Sequence, residues 1–344
     1  MNRIAPCLLA LIVGLSVVPA WADNQPAPAT PAVTAPLPPA KPDFGQWLQD
    51  LRAEALKKGI RDATLNEALN GLQPIDKVLD FDKRQPEFTL TLDQYLSHVL
   101  TPEKIAQGKK LLHLHYKLLD KIFLRYHVPP QTIVALWGIE SGFGKNIGSY
   151  PVVQSLATLA YDGRRSQYFR TELINALTIV DHGATPQQMR GSWAGAMGQC
   201  QFMPSTYLKY AQKWEGEGTA DIWTDPADIF ASAANYLGSV GWDPHQSWGR
   251  PVLLPANFDK SQLGLSMKKT VREWAKLGIR RADGKPLPKS DLEASLVTAD
   301  PGRDATGQGP PFLVYDNFRT YMNWNRSVFF GVAAGTLADR IASR

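Results

Sequence analysis

The fold is decided at Trp137-Gly138-Ile139-Glu140-Ser141-Gly142-Phe143-Gly144, where one acidic residue ends an apolar run and glycines follow it at once. The preceding residues, 129–136, begin with two prolines, which the first turn of a helix tolerates, and continue with apolar side chains at helical spacing. They predict a short buried helix. The rest of the chain is organised around it.

Glu140 is the first candidate catalytic residue. A carboxylate in the last turn of a helix faces the negative end of the helix dipole, and apolar neighbours surround this one. Both effects disfavour the ionised form and predict a raised pKa. An acid still protonated near neutral pH can protonate a leaving oxygen, as a glycosidase requires. Taken alone, a single glutamate at a helix end is more often a solvated residue without a catalytic role.

The first 22 residues have the pattern of a secretory signal peptide. Arg3 supplies the positive charge, residues 8–18 the apolar core and Ala20-Trp21-Ala22 the cleavage site, so the mature chain is expected to begin near Asp23. The apolar core is too short to span a bilayer, and no later stretch is long enough. Cys7 precedes that core, which is the wrong position for a lipid-attached cysteine. We therefore expect an exported, soluble protein that is not a lipoprotein.

The composition of the chain after the signal peptide bears on its disulfides, its charge and its linker. Cys200 is then the only cysteine, so no intramolecular disulfide can form. Loss of Arg3 lowers the formal net charge from +5 to +4 (5 − 1), an excess that suits an anionic partner such as cell wall but also many other proteins. Residues 23–42 are rich in Pro and Ala and predict an extended linker, with order starting near Phe44.

The residues after the linker predict a mainly helical chain. An N-terminal helical region includes a capping-box signal from Thr64 to Glu67, and a long helix should run from Thr101-Pro102 to the prolines at 129–130. Two more helices are predicted, over Ser166 to His182 and after the cap at Asp225-Pro226. Short apolar runs between turn residues predict small β elements from about 251 to 316, and helical character resumes near Ser327.

The segment from Gly191 to Ser205 alternates small residues with aromatic and amide side chains, which is typical of a groove wall. Glycines allow a ligand close to the backbone, Ser192 and Gln201 can bond to hydroxyl and acetamido groups, and aromatic faces suit sugar rings. The same pattern also fits a packed loop.

These segments together resemble the B-type lytic murein transglycosylases, a bacterial glycoside hydrolase family. The Glu140 segment, residues 191–205, Ala234-Asn235-Tyr236 and Trp324-Asn325-Arg326-Ser327 occur in that family's order and approximate spacing, over roughly Phe44 to the C-terminus. The resemblance implies a mainly α (α+β) fold over 43–344: a lysozyme-like catalytic core with a helical N-terminal domain and a small β-containing subdomain.

The resemblance also implies a mechanism and a periplasmic location. The glutamate matched by Glu140 protonates the bond between N-acetylmuramic acid and N-acetylglucosamine in peptidoglycan. It then acts as base while the sugar's own 6-hydroxyl attacks, which gives a 1,6-anhydromuramoyl end without water. No second carboxylate is needed, in contrast to glycosidases that use two.

Further residues are carried over from the family pattern as substrate-binding candidates. Ser192 matches a serine that orients the acetamido group, Gln201 an amide in the groove, and Arg164 and Arg165 a basic pair suggested to meet stem-peptide carboxylates. The other matched groove residues are Tyr95, Phe202, Tyr236, Trp324 and Asn325.

The chain departs from the family pattern at two positions. Trp324 and Phe330 stand where the family often has tyrosines, which puts the hydrogen bonds of those phenols in doubt but leaves stacking possible. Peptidoglycan glycan strands are the implied partner of an otherwise monomeric protein, contacts with cell-wall synthesis or recycling proteins are left open, and no nucleic acid, membrane span or cofactor is expected.

Two other functions are also compatible with these residues. One is a lysozyme-type hydrolase in which Asp162 or Asp221 helps water to attack, and the other is a non-catalytic protein that holds glycan in an aromatic groove.

A calcium loop that members of this family can carry is expected to be disabled. The matching segment, Lys213 to Asp228, has a lysine at the first ligand position, and an ammonium has no lone pair for a metal. It should instead sit among Glu215, Glu217 and Asp228. A weak site through Asp221 and backbone carbonyls is the alternative.

Overall fold

The structure is a computed structural model that describes residues 42–83, 91–163, 165–299 and 309–343. The predicted signal peptide, nearly all of the predicted linker, and Arg164 lie outside these residues. Among the described residues, no helix combines the length and apolar character needed to cross a membrane.

Helices make up most of the described chain. They are α1 (Phe44–Lys57), α2 (Asp62–Leu69), α3 (Asp76–Lys83), α4 (Leu92–Val99), α5 (Pro102–Leu114), α6 (Tyr116–Tyr126), α7 (Pro130–Ser141), α8 (Val152–Asp162), α9 (Ser166–Asp181), α10 (Pro204–Tyr210), α11 (Pro226–Ser239), α12 (Val271–Lys276), α13 (Asp316–Trp324) and α14 (Val328–Ala342).

The central helix is α7, which packs against α5, α6, α11 and α14. It is buried along nearly its whole length, which explains why its sequence is apolar on all sides. Pro130 occupies its first turn, and it ends where Gly142 adopts a left-handed conformation with φ 60° and donates its N–H to the carbonyl of Trp137. The predicted buried helix is therefore confirmed.

A small antiparallel sheet lies in the later part of the chain. Its strands are β3 (Gly249–Leu253), β4 (Lys269–Thr270), β5 (Arg280–Arg281), β6 (Glu293–Thr298) and β7 (Pro311–Val314), and their order is β4-β6-β7-β3-β5. Trp274, Leu296 and Leu313 are buried in a core of its own, separate from the large helical core. A two-stranded pair, β1 (Tyr150–Pro151) and β2 (Arg190–Gly191), lies beside α8.

The predicted fold class, mainly helical with a small β-containing part, is confirmed. Three local predictions were wrong. Thr64 lies inside α2, and its hydroxyl donates to Asp181 at 2.6 Å, so it caps no helix. The long helix expected from Thr101 is interrupted at His115, giving α5 and α6. Helix α13 occupies residues for which no helix was predicted.

Candidate active site

Glu140 lies in the last turn of α7, partly exposed, and its carboxyl group makes a single hydrogen bond among the described residues. The donor is the indole nitrogen of Trp324, 2.7 Å from Oε1. Burial raises the pKa of Glu140 from 4.5 to about 8, and the bond from Trp324 acts in the opposite direction. The carboxyl group is therefore mainly protonated at neutral pH, as the sequence predicts.

Trp324 is held in place by an aromatic cluster. Its ring lies 4.8 Å from that of Tyr236 in an edge contact and 5.2 Å from that of Phe202. Tyr236 also donates its hydroxyl to the backbone carbonyl of Asn323 at 2.7 Å, which ties α11 to the last turn of α13. Trp324, which contacts Glu140, is thus held in place by residues from two other parts of the chain.

Tyr95, on α4, is a second neighbour of Glu140. It is buried, its ring packs 5.6 Å from Phe329, and its hydroxyl has no hydrogen-bond partner among the described residues. Burial and the negative charge of Glu140 both raise the pKa of Tyr95, so the phenol stays neutral. An unpaired buried hydroxyl is costly unless a water or ligand completes it.

Ser192 and Gln201 are both buried and keep part of their hydrogen-bonding capacity. The Ser192 hydroxyl accepts from the backbone N–H of Ala196 at 3.0 Å, which leaves its own proton free to donate. The Gln201 amide nitrogen donates to the carbonyls of Gly198 at 2.7 Å and Ile147 at 3.1 Å, which leaves its oxygen as an acceptor.

The glycines in the predicted groove wall serve the packing of the protein itself. A Cβ on Gly191 would lie 2.1 Å from the carbonyl oxygen of Ala196, and one on Gly195 would lie 2.5 Å from Cδ2 of Leu156. Close packing within the protein therefore accounts for these glycines, without a ligand next to the backbone. Residues 191–203 are largely buried, so this wall is also the packed loop that the sequence left open.

An open cavity of about 240 Å³ lies beside the aromatic cluster. Gln201, Phe202, Tyr236, Trp324 and Asn325 line it, as expected for groove residues. No individual role was predicted for its other lining residues, which are Tyr168, Glu172, Met203, Ser205, Thr206, Asn323 and Arg326. A much smaller cavity, between α7 and α11, is lined by both Glu140 and Trp324. Trp324 therefore contributes to the walls of both.

Gln199 is a further residue that sequence reasoning missed. Its side-chain oxygen accepts from the Trp137 indole and its nitrogen donates to the Trp223 carbonyl, both at 2.6 Å. It links α7 to the segment that contains Trp223, and it lines the same small cavity as Glu140. An amide can make this bridge because it has a donor and an acceptor on one group.

Arg165 differs from the solvated residue that the sequence allows. Arg165 forms an ion pair with the buried carboxylate of Asp82, and its guanidinium lies 5.0 Å from the ring centre of Phe169. Its role towards stem peptides stays a prediction, and Arg164 lies outside the described residues.

The comparison with known proteins agrees with this geometry. A family model described as a transglycosylase SLT domain matches residues 43–339. The chain belongs to this transglycosylase family. Membrane-bound lytic murein transglycosylase B of Escherichia coli (strain K12) is 31% identical over 299 residues, which cover 83% of this chain and 80% of that protein.

Solved structures of the transglycosylase family resemble the chain throughout the described body. SltB3 from Pseudomonas aeruginosa, crystallised with NAG-anhNAM-pentapeptide, is 42% identical with a TM-score of 0.82, covering 87% of this chain and 79% of that one. The Escherichia coli lytic transglycosylase Slt35 in complex with calcium is 28% identical with a TM-score of 0.71, covering 88% and 93%. The predicted resemblance to B-type lytic transglycosylases is confirmed.

The loop expected to correspond to a calcium site does not fit a metal ion in this chain. The ammonium of Lys213 lies 2.9 Å from Oδ2 of the fully buried Asp228 and 3.5 Å from Asp225. Asp228 also accepts the backbone N–H groups of Trp214 and Asp221 at 2.8 and 2.7 Å. No group of three or more His, Cys, Asp or Glu side chains in the described residues is arranged to hold a metal.

The partners of Lys213 differ in part from those expected. Asp228 is one of them, but Asp225 takes the place of Glu215 and Glu217, which are exposed. The carboxylate of Asp221, proposed as the centre of a weak site, instead accepts the N–H groups of Trp223 and Thr224, both at 2.9 Å.

Proposed function

We propose that the chain cleaves the β-1,4 bond between N-acetylmuramic acid and N-acetylglucosamine in peptidoglycan and leaves a 1,6-anhydromuramoyl end. The observation that carries this proposal is the carboxyl group of Glu140, whose pKa of about 8 keeps it protonated at neutral pH next to an aromatic cavity. Membership of the transglycosylase family and the relatives that act on murein support it. A protein that only binds glycan does not need a protonated acid.

The reaction uses Glu140 twice. Its proton goes to the oxygen of the N-acetylglucosamine leaving group as the bond from C1 of the muramoyl sugar to that oxygen breaks. The acetamido carbonyl of the same sugar supports the electron-poor C1. The Glu140 carboxylate then takes the proton of the sugar's 6-hydroxyl while that oxygen bonds to C1, so the acid is regenerated and no water is consumed.

The carboxylates near the two cavities favour this route over hydrolysis. Among the described residues that line them, Glu140 and Glu172 are the acidic side chains. Glu172 accepts both the N–H and the hydroxyl of Ser205, at 2.9 and 2.7 Å, and so holds the start of α10. The carboxylate of Asp221 accepts hydrogen bonds from the backbone of its own loop. A two-carboxylate mechanism needs a free partner for the acid.

The proposed substrate contacts use hydrogen-bond donors and acceptors that the described residues leave available. Ser192 has a hydroxyl proton to donate to the acetamido group, and Gln201 has an amide oxygen to accept from a sugar hydroxyl. Tyr95 has an unpaired hydroxyl beside Glu140. Phe202 and Tyr236 offer ring faces and edges on the cavity wall. We further propose that the protein acts in the periplasm after removal of residues 1–22.

The direct test is Glu140→Gln, which keeps the shape of the side chain and cannot deliver a proton. Turnover of purified peptidoglycan should fall by a factor on the order of 10²–10⁴ or more, while sedimentation with peptidoglycan is retained. Asp162→Asn is the matched control, because Asp162 is one of the two aspartates that a hydrolase could use and should be dispensable here, so the variant should keep full activity. Substantial turnover by Glu140→Gln would contradict the proposal.

A further inference from the structure

The hydrogen bond between Trp324 and Glu140 restricts where the acid can carry its proton. An indole N–H is only a donor, so the atom it points at must act as an acceptor. That atom is Oε1 of Glu140, 2.7 Å away. A proton on Oε1 would face the indole hydrogen, whereas a proton on Oε2 leaves the bond intact.

We propose that Trp324 is a positioning residue, which keeps Oε1 of Glu140 as a hydrogen-bond acceptor in both protonation states and so assigns the transferable proton to Oε2. This inference rests on the proposed function, because it concerns the acid of that reaction. A tyrosine at this place has a hydroxyl that can donate or accept, and it would not impose the same choice.

The contacts of Trp324 hold its indole in the orientation that donates to Glu140. Its ring contacts Phe202 and Tyr236, and the hydroxyl bond from Tyr236 to the Asn323 carbonyl fixes the end of α13. Rotation of the indole away from Glu140 would break these contacts. The orientation is therefore set before substrate binds, which is the condition for a preorganised acid.

The titratable groups next to Glu140 do not change their charge at the pH at which Glu140 ionises. Burial and the charge of Glu140 raise the pKa of Tyr95 and of Cys200, and burial lowers the pKa of His115, whose ring lies 6.0 Å from that of Trp137. All three are neutral near pH 8, so among these four groups Glu140 is the one that changes charge in this range.

The first test is the pH dependence of kcat/KM in Trp324→Phe. The N–H bond favours the ionised carboxylate, so its removal should move the alkaline limb of the profile upward by about one pH unit. Trp248→Phe is the matched control, because that indole donates to a carboxylate oxygen of Asp339 at 2.9 Å away from the site. It should leave the limb unchanged, even if the variant is less stable.

The second test needs no turnover. In wild-type protein labelled with nitrogen-15, the indole resonance of Trp324 should titrate near pH 8 and stop titrating in Glu140→Gln. An unshifted alkaline limb in folded Trp324→Phe, together with an indole that does not titrate, would overturn the positioning role. If Glu140→Gln instead keeps its turnover, the proposed function fails, whatever the indole resonance does.

Discussion

Glu140 is expected to lower the stability of the fold as the pH rises, because its environment favours the protonated form. In the unfolded chain its pKa is near the ordinary value of 4.5, and burial raises it to about 8 in the folded protein. Between these values the folded state holds a proton that the unfolded state has lost. The free energy of unfolding therefore falls with rising pH in this window.

Glu140→Gln should remove this pH dependence. The variant should melt at a higher temperature than the wild type at pH 8, and the difference should vanish below about pH 4.5, where both states of the wild type are protonated. Glu215→Gln, at an exposed glutamate, is the control and should change neither value. Calorimetric scans that show the same difference at both pH values would contradict the raised pKa.

Ser192→Ala should lower activity more than stability. Loss of the hydroxyl leaves the Ala196 N–H without its partner, which costs about 1 kcal/mol. If the same hydroxyl orients the acetamido group, kcat should fall by about 10²-fold through misplacement of the sugar. Ser232→Ala loses an equivalent bond, from the N–H of Gln212 at 2.9 Å, outside the site and should keep its activity. Equal activity losses in both variants would argue for a packing role.

At the level of single residues, the sequence predicted the acid but not its partner. The apolar run and the following glycines place Glu140 at the end of a buried helix, and burial by the helices packed around α7 raises its pKa. The bond from Trp324 joins residues 184 positions apart, and nothing in the local pattern indicates it. Tryptophan in place of the family's tyrosine put the hydrogen bonds of that phenol in doubt, and the indole supplies a bond of its own to Glu140.

At the level of elements, prediction succeeded where the boundary signals are local. Helices α7, α9 and α11 begin or end at prolines, glycines or a capping aspartate, and all three were predicted. Helix α13 has no side-chain cap at its start and follows β7 almost at once, so the sequence offers no signal for it. Thr64 resembled a cap, but a tertiary bond to Asp181 takes its hydroxyl.

The loop before α11 provides a prediction at the same scale. Because the ammonium of Lys213 lies against the buried carboxylate of Asp228, millimolar calcium should leave the melting temperature unchanged and EDTA should not lower activity. Lys213→Met should cost about 1–3 kcal/mol of stability, since a buried carboxylate loses a charged donor. Lys209→Met, at an exposed lysine of α10, is the control. A calcium-dependent rise in the melting temperature of the wild type would contradict this account.

At the level of the whole molecule, the site is assembled from five distant stretches. The acid comes from α7, the Tyr95 phenol from α4, the hydroxyl and amide from residues 191–203, and aromatic rings from α11 and the end of α13. A resemblance spread along the whole chain anticipated this convergence, whereas periodicity alone predicted only the separate elements. The internal pairing of Arg165 with Asp82 depends on tertiary packing and was not predicted.

Export of the protein is a prediction at this scale. If residues 1–22 form a cleaved signal peptide, the protein recovered from the periplasm should begin at Asp23, and its intact mass should show no lipid on any cysteine. Mass spectrometry of the recovered protein measures both. A product that retains the leader in the cytoplasm, or that carries lipid, would contradict the proposed location.

The proposed reaction uses a single acid, Glu140, and consumes no water. Digestion of peptidoglycan in water enriched in the heavy oxygen isotope tests it most directly, with the released muropeptides weighed by mass spectrometry. The released products are expected to be anhydromuramoyl species that are lighter than reducing ends by one water and carry no heavy oxygen. Reducing ends that contain the heavy isotope would show hydrolysis and contradict it.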